Sequence, residues 1–274
     1  MAQNVFAVGA SKNIGYFTSL RLLAAGANIT FLLRSTSAFD NDEKMQGYIK
    51  SGKAHLVKGD GLVREDVQKA WTAASKHGPI DLLLFTVGGV PSYSLLKGFV
   101  ITPPNLVTQC LLNTLCTMPQ QTDQPKIVAL TSMGISHSAH SKVPLALKPI
   151  YGYALTEPHK DKLGAERLIA HVSGEPWDSK NWDEPKAEIM GGANWQQHEG
   201  LPQPGSLNRI LVVRPAMFAG EGCEAEKPKG KRYRVSEGDI SGYTITREDV
   251  AHFIADAVLN RWDEYEGKRV NVVF

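Results

Sequence analysis

Two glycines and several polar side chains lie close together near the start of the chain. Residues 9–15, Gly-Ala-Ser-Lys-Asn-Ile-Gly, follow an apolar run at 5–8 and precede a helical pattern. A turn of this kind lets the N–H groups of a helix N-terminus face a phosphate, and the helix dipole favours negative charge there. The expected pyrophosphate-binding residues are Gly9, Ser11, Lys12, Asn13, Ile14 and Gly15.

The turn departs from the usual dinucleotide fingerprint at one position. Asn13 stands where a middle glycine is common. Asparagine tolerates glycine-like dihedrals better than most residues, so we predict that the turn keeps its shape. Gly9 then permits the tight turn, and Gly15 lets the helix and the strand pack closely.

The second apolar run, 29–33, ends in Arg34 and Ser35. A site for NAD carries a carboxylate at this place to bind the ribose hydroxyls. Arg34 and Lys12 suit a 2′-phosphate instead, and two charge-assisted hydrogen bonds of about 1.5–3 kcal/mol each would favour the phosphorylated form by a hundredfold or more. We therefore predict NADP(H) as the cofactor, with Arg34 and Ser35 among its ligands. A solvated Arg34 at a strand end is the alternative.

Two further strand ends supply candidate ligands. Asp60 and Gly61 follow a predicted strand at 55–58, where Asp60 either accepts from an adenine amino group or serves as a turn or helix-cap residue. After a predicted strand at 80–85, a glycine pair allows close approach of the backbone to a ribose or nicotinamide, with a plain loop as the alternative. The candidates there are Val87, Gly88 and Gly89.

The elements that position these residues alternate between strands and helices along the whole chain. The first helical pattern puts Ile14, Phe17, Leu20 and Ala24 on one face, and the last predicted strand is 269–274. This alternation predicts an α/β fold, a doubly wound parallel sheet of the Rossmann type, in a single domain spanning 1–274.

Two stretches fall outside the alternation. Residues 174–208 form an irregular insertion that holds three of the five tryptophans, which favours a substrate lid or a docking surface. Residues 216–246 are expected on the substrate side of the sheet. They include a basic run at 227–234, interpreted as a solvated loop or as a site for an acidic ligand.

Composition excludes several classes of function. The 274 residues carry a net charge of +2, which argues against nucleic acid as the main partner. Three cysteines without zinc-type spacing predict a reducing compartment and no metal. The sequence shows no signal peptide and no apolar run of membrane-spanning length, so we expect a soluble, cytoplasmic protein.

Several of these motifs together resemble the short-chain dehydrogenase/reductase superfamily, in its atypical and extended branches that include the NmrA-like proteins. The resemblance covers nearly the whole chain. It rests on the glycine turn, Gly59-Asp60, Thr131-Ser132, the Arg214–Gly220 segment and the Tyr243–Ala251 segment. It implies that Thr131, Pro215 and Phe218 lie beside the cofactor.

The resemblance also implies a catalytic serine, tyrosine and lysine. Ser132 matches the serine that polarises a carbonyl over the nicotinamide. Lys162, in Lys-Leu-Gly-Ala-Glu166, matches the lysine that holds the nicotinamide ribose and lowers the pKa of a neighbouring phenol. A strand-end cap and a surface lysine are the plain alternatives for these two residues.

The tyrosine is missing from its place. Pro158 stands four residues before Lys162, and the one literal match to the spacing, Tyr93 to Lys97, follows the fourth strand and is rejected. A proton donor must then come from Tyr151, Tyr153 or His159. Ordinary packing or capping is the alternative for each.

The leading hypothesis is an NADPH-dependent reductase of a small, rather apolar carbonyl, imine or enone. The loss of the tyrosine keeps open a non-catalytic NADP(H)-binding sensor or regulator of the NmrA-like type. A small-molecule substrate is the expected partner, while a homo-oligomer and a regulatory protein partner stay open; we expect no membrane or nucleic-acid partner.

Overall fold

Residues 3–89, 92–94, 98–136 and 156–274 are described by the computed structural model. The strands of this part of the chain are β1 (Asn4–Val8), β2 (Asn28–Leu33), β3 (Ala54–Lys58), β4 (Leu82–Phe85), β5 (Ser92–Ser94), β6 (Gly98–Val100), β7 (Lys126–Leu130), β8 (Ile210–Pro215), β9 (Met217–Phe218), β10 (Arg234–Ser236), β11 (Thr244–Ile245) and β12 (Arg269–Val273).

The helices alternate with the main strands, as predicted. They are α1 (Asn13–Ala24), α2 (Glu43–Lys50), α3 (Arg64–Ser75), α4 (Leu106–Cys116), α5 (Thr156–Ser173), α6 (Ala187–Met190), α7 (Arg247–Asn260) and α8 (Trp262–Tyr265). Short 3₁₀ turns lie at Thr36–Phe39, Trp195–Gln197 and Glu224–Glu226. None of the helices within the described ranges is long and apolar enough to cross a bilayer.

Eight strands form the central sheet, in the order β3-β2-β1-β4-β7-β8-β12-β10. The chain moves outward from β1 to β3, then returns to place β4 on the other side of β1. This reversal opens a crevice at the carboxyl ends of β1 and β4, where ligands bind in open α/β sheets. The predicted α/β, doubly wound fold of the Rossmann type is confirmed.

One edge of the sheet differs from the prediction. The strand predicted at 269–274 was expected to be the last one at this edge of the sheet, but β10 pairs antiparallel with β12 and forms the edge. β10 begins at Arg234, the last residue of the basic run that was predicted as a loop. Its three residues are too few to show an apolar alternation, so the pairing depends on β12 and not on a local pattern.

Helices cover both faces of the sheet. One apolar cluster joins α1 and α7 to side chains such as Val5 and Ala7 of β1, and the other joins α3, α4 and α5 to Phe6 and Val8 of the same strand. This division follows the alternation of side chains along a strand.

The buried face of α1 is not the stripe that its apolar residues suggested. The helix buries Ile14, Gly15, Thr18, Ser19, Leu22 and Leu23, while Phe17 and Leu20 are only half-buried and Ala24 is exposed. Gly15, Thr18 and Ser19 face inward beside the aliphatic residues because α1 lies close to both the sheet and α7, which leaves little space on that side. Close packing therefore requires small side chains at three of the six buried positions of this helix.

The insertion at 174–208 belongs partly to the core. Met190, Trp195, Leu201 and Leu207 are buried in the apolar cluster of α3, α4 and α5, and Ile189 is also buried. Trp177 and Trp182 are half-buried. The three tryptophans thus have different roles, which sequence composition did not separate. The antiparallel pairing of β5 with β6 was also not predicted.

Gly164 provides a test of the helix packing. An added Cβ would lie 2.7 Å from Ile189 Cγ2 and would overlap the Thr108 hydroxyl. We expect Gly164→Ala to lower the free energy of unfolding by about 1–3 kcal/mol, because overpacking forces neighbours to move. Urea unfolding followed by circular dichroism measures this change.

Gly47→Ala is the matched control. Gly47 also lies inside a helix, but an added Cβ meets nothing within 4 Å. Alanine there should raise stability by up to about 1 kcal/mol through helix propensity. Equal stability changes in the two variants would contradict close packing at Gly164.

Candidate active site

The turn after β1 has the geometry that the glycine pattern predicts. Gly9 has φ +82° and Asn13 has φ +56°, both in the left-handed region. An added Cβ at Gly9 would lie 2.5 Å from the Val87 backbone nitrogen. At Gly15 it would lie 2.7 Å from Ala10 Cα and overlap the Thr86 hydroxyl. The predictions for Gly9, Asn13 and Gly15 are confirmed as statements about backbone geometry.

The N-terminus of α1 is open to an anion. Lys12 is the cap residue, its side chain makes no capping hydrogen bond, and the first turn contains no acidic residue. Ser11 lies in the same turn and Ile14 is buried beneath it. Since neither a cap nor a carboxylate competes, the first-turn N–H groups and the helix dipole favour a phosphate here.

Two exposed cations flank this crevice. Lys12 lies at the turn and Arg34 follows β2, and neither forms an ion pair with a carboxylate anywhere in the described ranges. Ser35 caps the turn at Thr36–Phe39, where its hydroxyl accepts from the Ser37 N–H at 3.3 Å. Lys12 and Arg34 are therefore available to a phosphate, while Ser35 already has a structural role.

Asp60 has a turn role in this structure. Its Oδ1 accepts from the Leu62 N–H at 3.0 Å, as the structural alternative predicted. The neighbouring Gly61 packs on Cys110, because an added Cβ would lie 2.9 Å from the Cys110 sulfur. The adenine contact of Asp60 stays a prediction.

The glycine pair after β4 serves two different purposes. Val87 is buried against the β1 turn, and Gly88 has open space around it. Gly89 instead packs on Ile101, where an added Cβ would overlap the side chain. Close approach to a ligand therefore fits Gly88, while packing against protein explains Gly89.

Lys162 lies at the centre of the crevice, on the first half of α5. Its ammonium donates to the carbonyl oxygens of Val87 (3.1 Å) and Leu130 (2.9 Å), at the ends of β4 and β7. Burial lowers the pKa of Lys162 to about 8, although Asp161 and Glu166 act in the opposite direction. The lysine is thus a positioned cation within the site and not a surface residue.

Glu166, four residues further along α5, binds two arginines. Arg214 donates to both carboxylate oxygens, at 2.8 and 3.0 Å, and Arg269 donates to one of them. The Thr131 hydroxyl donates to Glu166 at 2.7 Å, and Arg269 Nε donates to Glu175 at 2.8 Å. Burial favours the neutral acid, but the two guanidinium groups outweigh it and hold the pKa of Glu166 at about 2.

Asp161 fixes the position of α5 from the other side. Its carboxylate accepts from the Val107 and Thr108 N–H groups, each at 2.8 Å, and so caps α4. Burial raises the pKa of Asp161, and these hydrogen bonds oppose that rise. Sequence analysis did not identify this cap, because the bonded residues lie more than fifty positions apart.

Ser132 lies just beyond β7, as predicted, with its hydroxyl donating to the Met133 carbonyl at 3.0 Å. It lines a cavity of about 780 Å³ on the face of the sheet that carries α5. The other walls are the insertion with Trp177 and Trp182, the segment from Glu237 to Tyr243, and side chains of β8 and β12. Ser132 therefore lies where the cofactor crevice meets a space of substrate size.

Pro215 and Phe218 lie near this junction. The Pro215 carbonyl accepts from the Met133 N–H at 3.0 Å, which places it beside Thr131 and Ser132. The Phe218 ring has the Arg247 guanidinium 4.7 Å from its centroid. The predicted cofactor contacts of both residues stay predictions.

The candidates for the proton donor are only partly described. Pro158 and His159 lie in the first turn of α5, one turn before Lys162. Tyr151 and Tyr153 lie outside the described residues. A prolyl ring therefore occupies the helix position from which a tyrosine would act.

Removing the charge of Glu166 should disrupt this network. We expect Glu166→Gln to cost about 3–5 kcal/mol of unfolding free energy, because it leaves two poorly exposed arginines short of a counterion. Glu184→Gln is the control, since Glu184 pairs with Arg167 at an exposed position and should cost at most about 1 kcal/mol. Similar midpoints in urea for the two variants would contradict a structural role for the Glu166 charge.

Comparisons with known proteins give a related reductase and the fold of the chain. No protein-family model matches the sequence. The reductase pytE of Aspergillus terreus is 27% identical over 202 residues, covering 71% of this chain and 67% of the relative.

Solved structures extend the similarity to almost the whole chain. A short-chain dehydrogenase from Burkholderia cenocepacia in complex with NADP superposes with a TM-score of 0.60 at 16% identity, covering 99% of this chain and 96% of the other. A blue fluorescent protein from a metagenomic library, in complex with NADPH, superposes with a TM-score of 0.56 at 17% identity. The match covers 99% of this chain and 96% of that protein. At these identities the similarity concerns the fold, which is the fold found in short-chain dehydrogenases.

Proposed function

We propose that this protein is an NADP(H)-dependent oxidoreductase of the short-chain dehydrogenase/reductase superfamily. The observation that carries the proposal is the crevice between β1 and β4, where the phosphate-binding turn, Lys162 and Ser132 converge. The name of the Aspergillus terreus relative and the nucleotides held by the two solved structures support it. The substrate is a small, rather apolar carbonyl, imine or enone.

Each residue of the crevice has a distinct task in this proposal. The cofactor supplies a hydride when bound. The α1 turn binds its pyrophosphate, Lys12 and Arg34 bind the 2′-phosphate, and Lys162 holds the nicotinamide ribose. Ser132 exchanges its hydrogen bond to the Met133 carbonyl for one to the substrate oxygen or nitrogen, and Tyr151, Tyr153 or His159 supplies the proton. The cavity beside Ser132 receives the rest of the substrate.

Pro158 favours a second candidate, a non-catalytic NADP(H)-binding sensor of the NmrA-like type. A prolyl ring has no proton to donate, so cofactor binding without turnover would be its consequence. Oxidation of NADPH against aldehydes, ketones, imines and enones separates the two functions. If turnover is found, Tyr151→Phe and Tyr153→Phe identify a donor by a loss in kcat that far exceeds any change in KM.

Cofactor selectivity tests the assignment of the two exposed cations. We expect Lys12→Ala and Arg34→Ala each to weaken NADPH binding about tenfold to a hundredfold, since each removes one charge-assisted contact to phosphate. NADH binding should change little. Lys44→Ala, at an exposed position of α2, is the control. Equal losses for the two nucleotides, or no loss for either, would place the 2′-phosphate elsewhere.

Lys162 predicts a pH dependence of cofactor binding. Because its pKa lies near 8, the ammonium loses its proton as the pH rises from 7 to 9.5, and its hydrogen bond to a ribose hydroxyl loses charge assistance. We expect the affinity for NADP⁺ to fall about fivefold over this range in the wild type. Calorimetric titration at several pH values measures it.

Lys162→Met is the comparison for this titration. The variant should bind NADP⁺ at pH 7 no more tightly than the wild type does at pH 9.5, and its affinity should not vary over that range. A variant with wild-type affinity and the same pH profile would show that Lys162 does not contact the cofactor.

A further inference from the structure

We infer that the cavity beside Ser132 selects a planar, uncharged substrate that carries a hydrogen-bond acceptor away from its reacting bond, and that Arg214 donates to this acceptor. The inference names the substrate class of the proposed function and rests on it. Three features of the cavity support it: a wall formed by Trp177 and Trp182, a floor that contains Arg214, and the net charge of the lining residues.

The wall is aromatic and held in place. The Trp177 and Trp182 ring centroids lie 5.6 Å apart. The Arg214 guanidinium lies 4.8 Å from the Trp182 centroid, and that of Arg167 lies 5.3 Å from the Trp177 centroid. Cation–π contacts thus fix both indoles on the sheet and on α5. Two fixed indoles offer a conjugated substrate a large packing surface at little cost in side-chain entropy.

The floor offers one hydrogen-bond donor group. Arg214 is only 12% exposed, and its Nε and Nη2 both donate to Glu166. Nη1 makes no hydrogen bond to the residues that the structure describes. Glu166 occupies the edge that Nε and Nη2 form, so the N–H groups of Nη1 are left for an acceptor on the ligand, such as an amide or ketone oxygen.

The other cations of the cavity are engaged. Arg269 is bound by Glu166 and Glu175, and Lys268 lies 3.0 Å from Glu237. Among the described lining residues, five carboxylates face three cations. This excess of negative charge opposes a carboxylate ligand, while Nη1 of Arg214 opposes an ammonium group at the same position. An uncharged acceptor satisfies both constraints.

The volume agrees with this class of substrate. A cavity of about 780 Å³ holds a molecule of two fused rings with a substituent at each end. Ser132 and Arg214 both line it. A reducible group at Ser132 can therefore coexist with a second polar group at Arg214.

Calorimetry with four ligands tests the inference. The probes are 2-acetylnaphthalenes that carry carboxamide, carboxylate, aminomethyl or methyl at position 6, titrated into the full chain with and without NADP⁺. We expect the carboxamide to bind at least tenfold more tightly than the other three. The methyl compound lacks the acceptor, and the two ions meet unfavourable charge.

Variants connect the preference to the named side chains. Trp182→Leu should weaken all four ligands several-fold, whereas Trp262→Phe should leave them unchanged because Trp262 packs near Lys126, outside the cavity lining. Arg214→Lys should remove the advantage of the carboxamide over the methyl compound. If Arg214→Lys fails to fold, the relative affinities of the wild type for the four ligands still test the inference.

The inference is overturned if the carboxylate or the amine binds as tightly as the carboxamide, if the methyl compound equals it, or if none of the four binds. These results would not contradict NADPH binding or its dependence on Lys12 and Arg34. Conversely, loss of NADPH binding would overturn the proposed function, while the ligand preference without cofactor would still be measurable.

Discussion

The contact between the turn after β1 and the end of β4 is the constraint on which the site depends. Gly9 lies directly against the Val87 backbone, Gly15 lies against the Thr86 side chain, and Lys162 donates to the Val87 carbonyl. Three elements that are distant in the chain therefore meet at two residues. Any side chain at either glycine would separate the turn from the strand, so the crevice exists because these positions have none.

A second set of contacts, centred on Glu166, connects the crevice to the cavity beside Ser132. Glu166 connects Thr131 at the end of β7 with Arg214 of β8 and Arg269 of β12. One buried carboxylate thus connects helix α5 to three neighbouring strands. Lys162 and Glu166 lie four residues apart on that helix, so the position of the cation in the crevice and the position of the arginines in the cavity depend on the same helix. Residues of one helix therefore contact both the crevice and the cavity.

Local patterns predicted much of this arrangement. The glycine turn, the tolerance of Asn13 for a positive φ, and the strand-end positions of Asp60 and Ser132 follow from short segments whose chemistry is independent of distant residues. The partners of Glu166 could not be predicted in this way, because Arg269 lies 103 residues away and only the sheet order brings it close. The edge strand β10, the hairpin of β5 and β6, and the separate roles of the three tryptophans likewise depend on tertiary contacts.

A crystal structure of the complex with NADP⁺ tests most directly whether the crevice at β1 and β4 binds the phosphorylated dinucleotide in one orientation. We expect the pyrophosphate at the N-terminus of α1, the 2′-phosphate between Lys12 and Arg34, and the nicotinamide between Lys162 and Ser132. A nucleotide bound elsewhere, or one whose 2′-phosphate points away from both cations, would contradict this expectation.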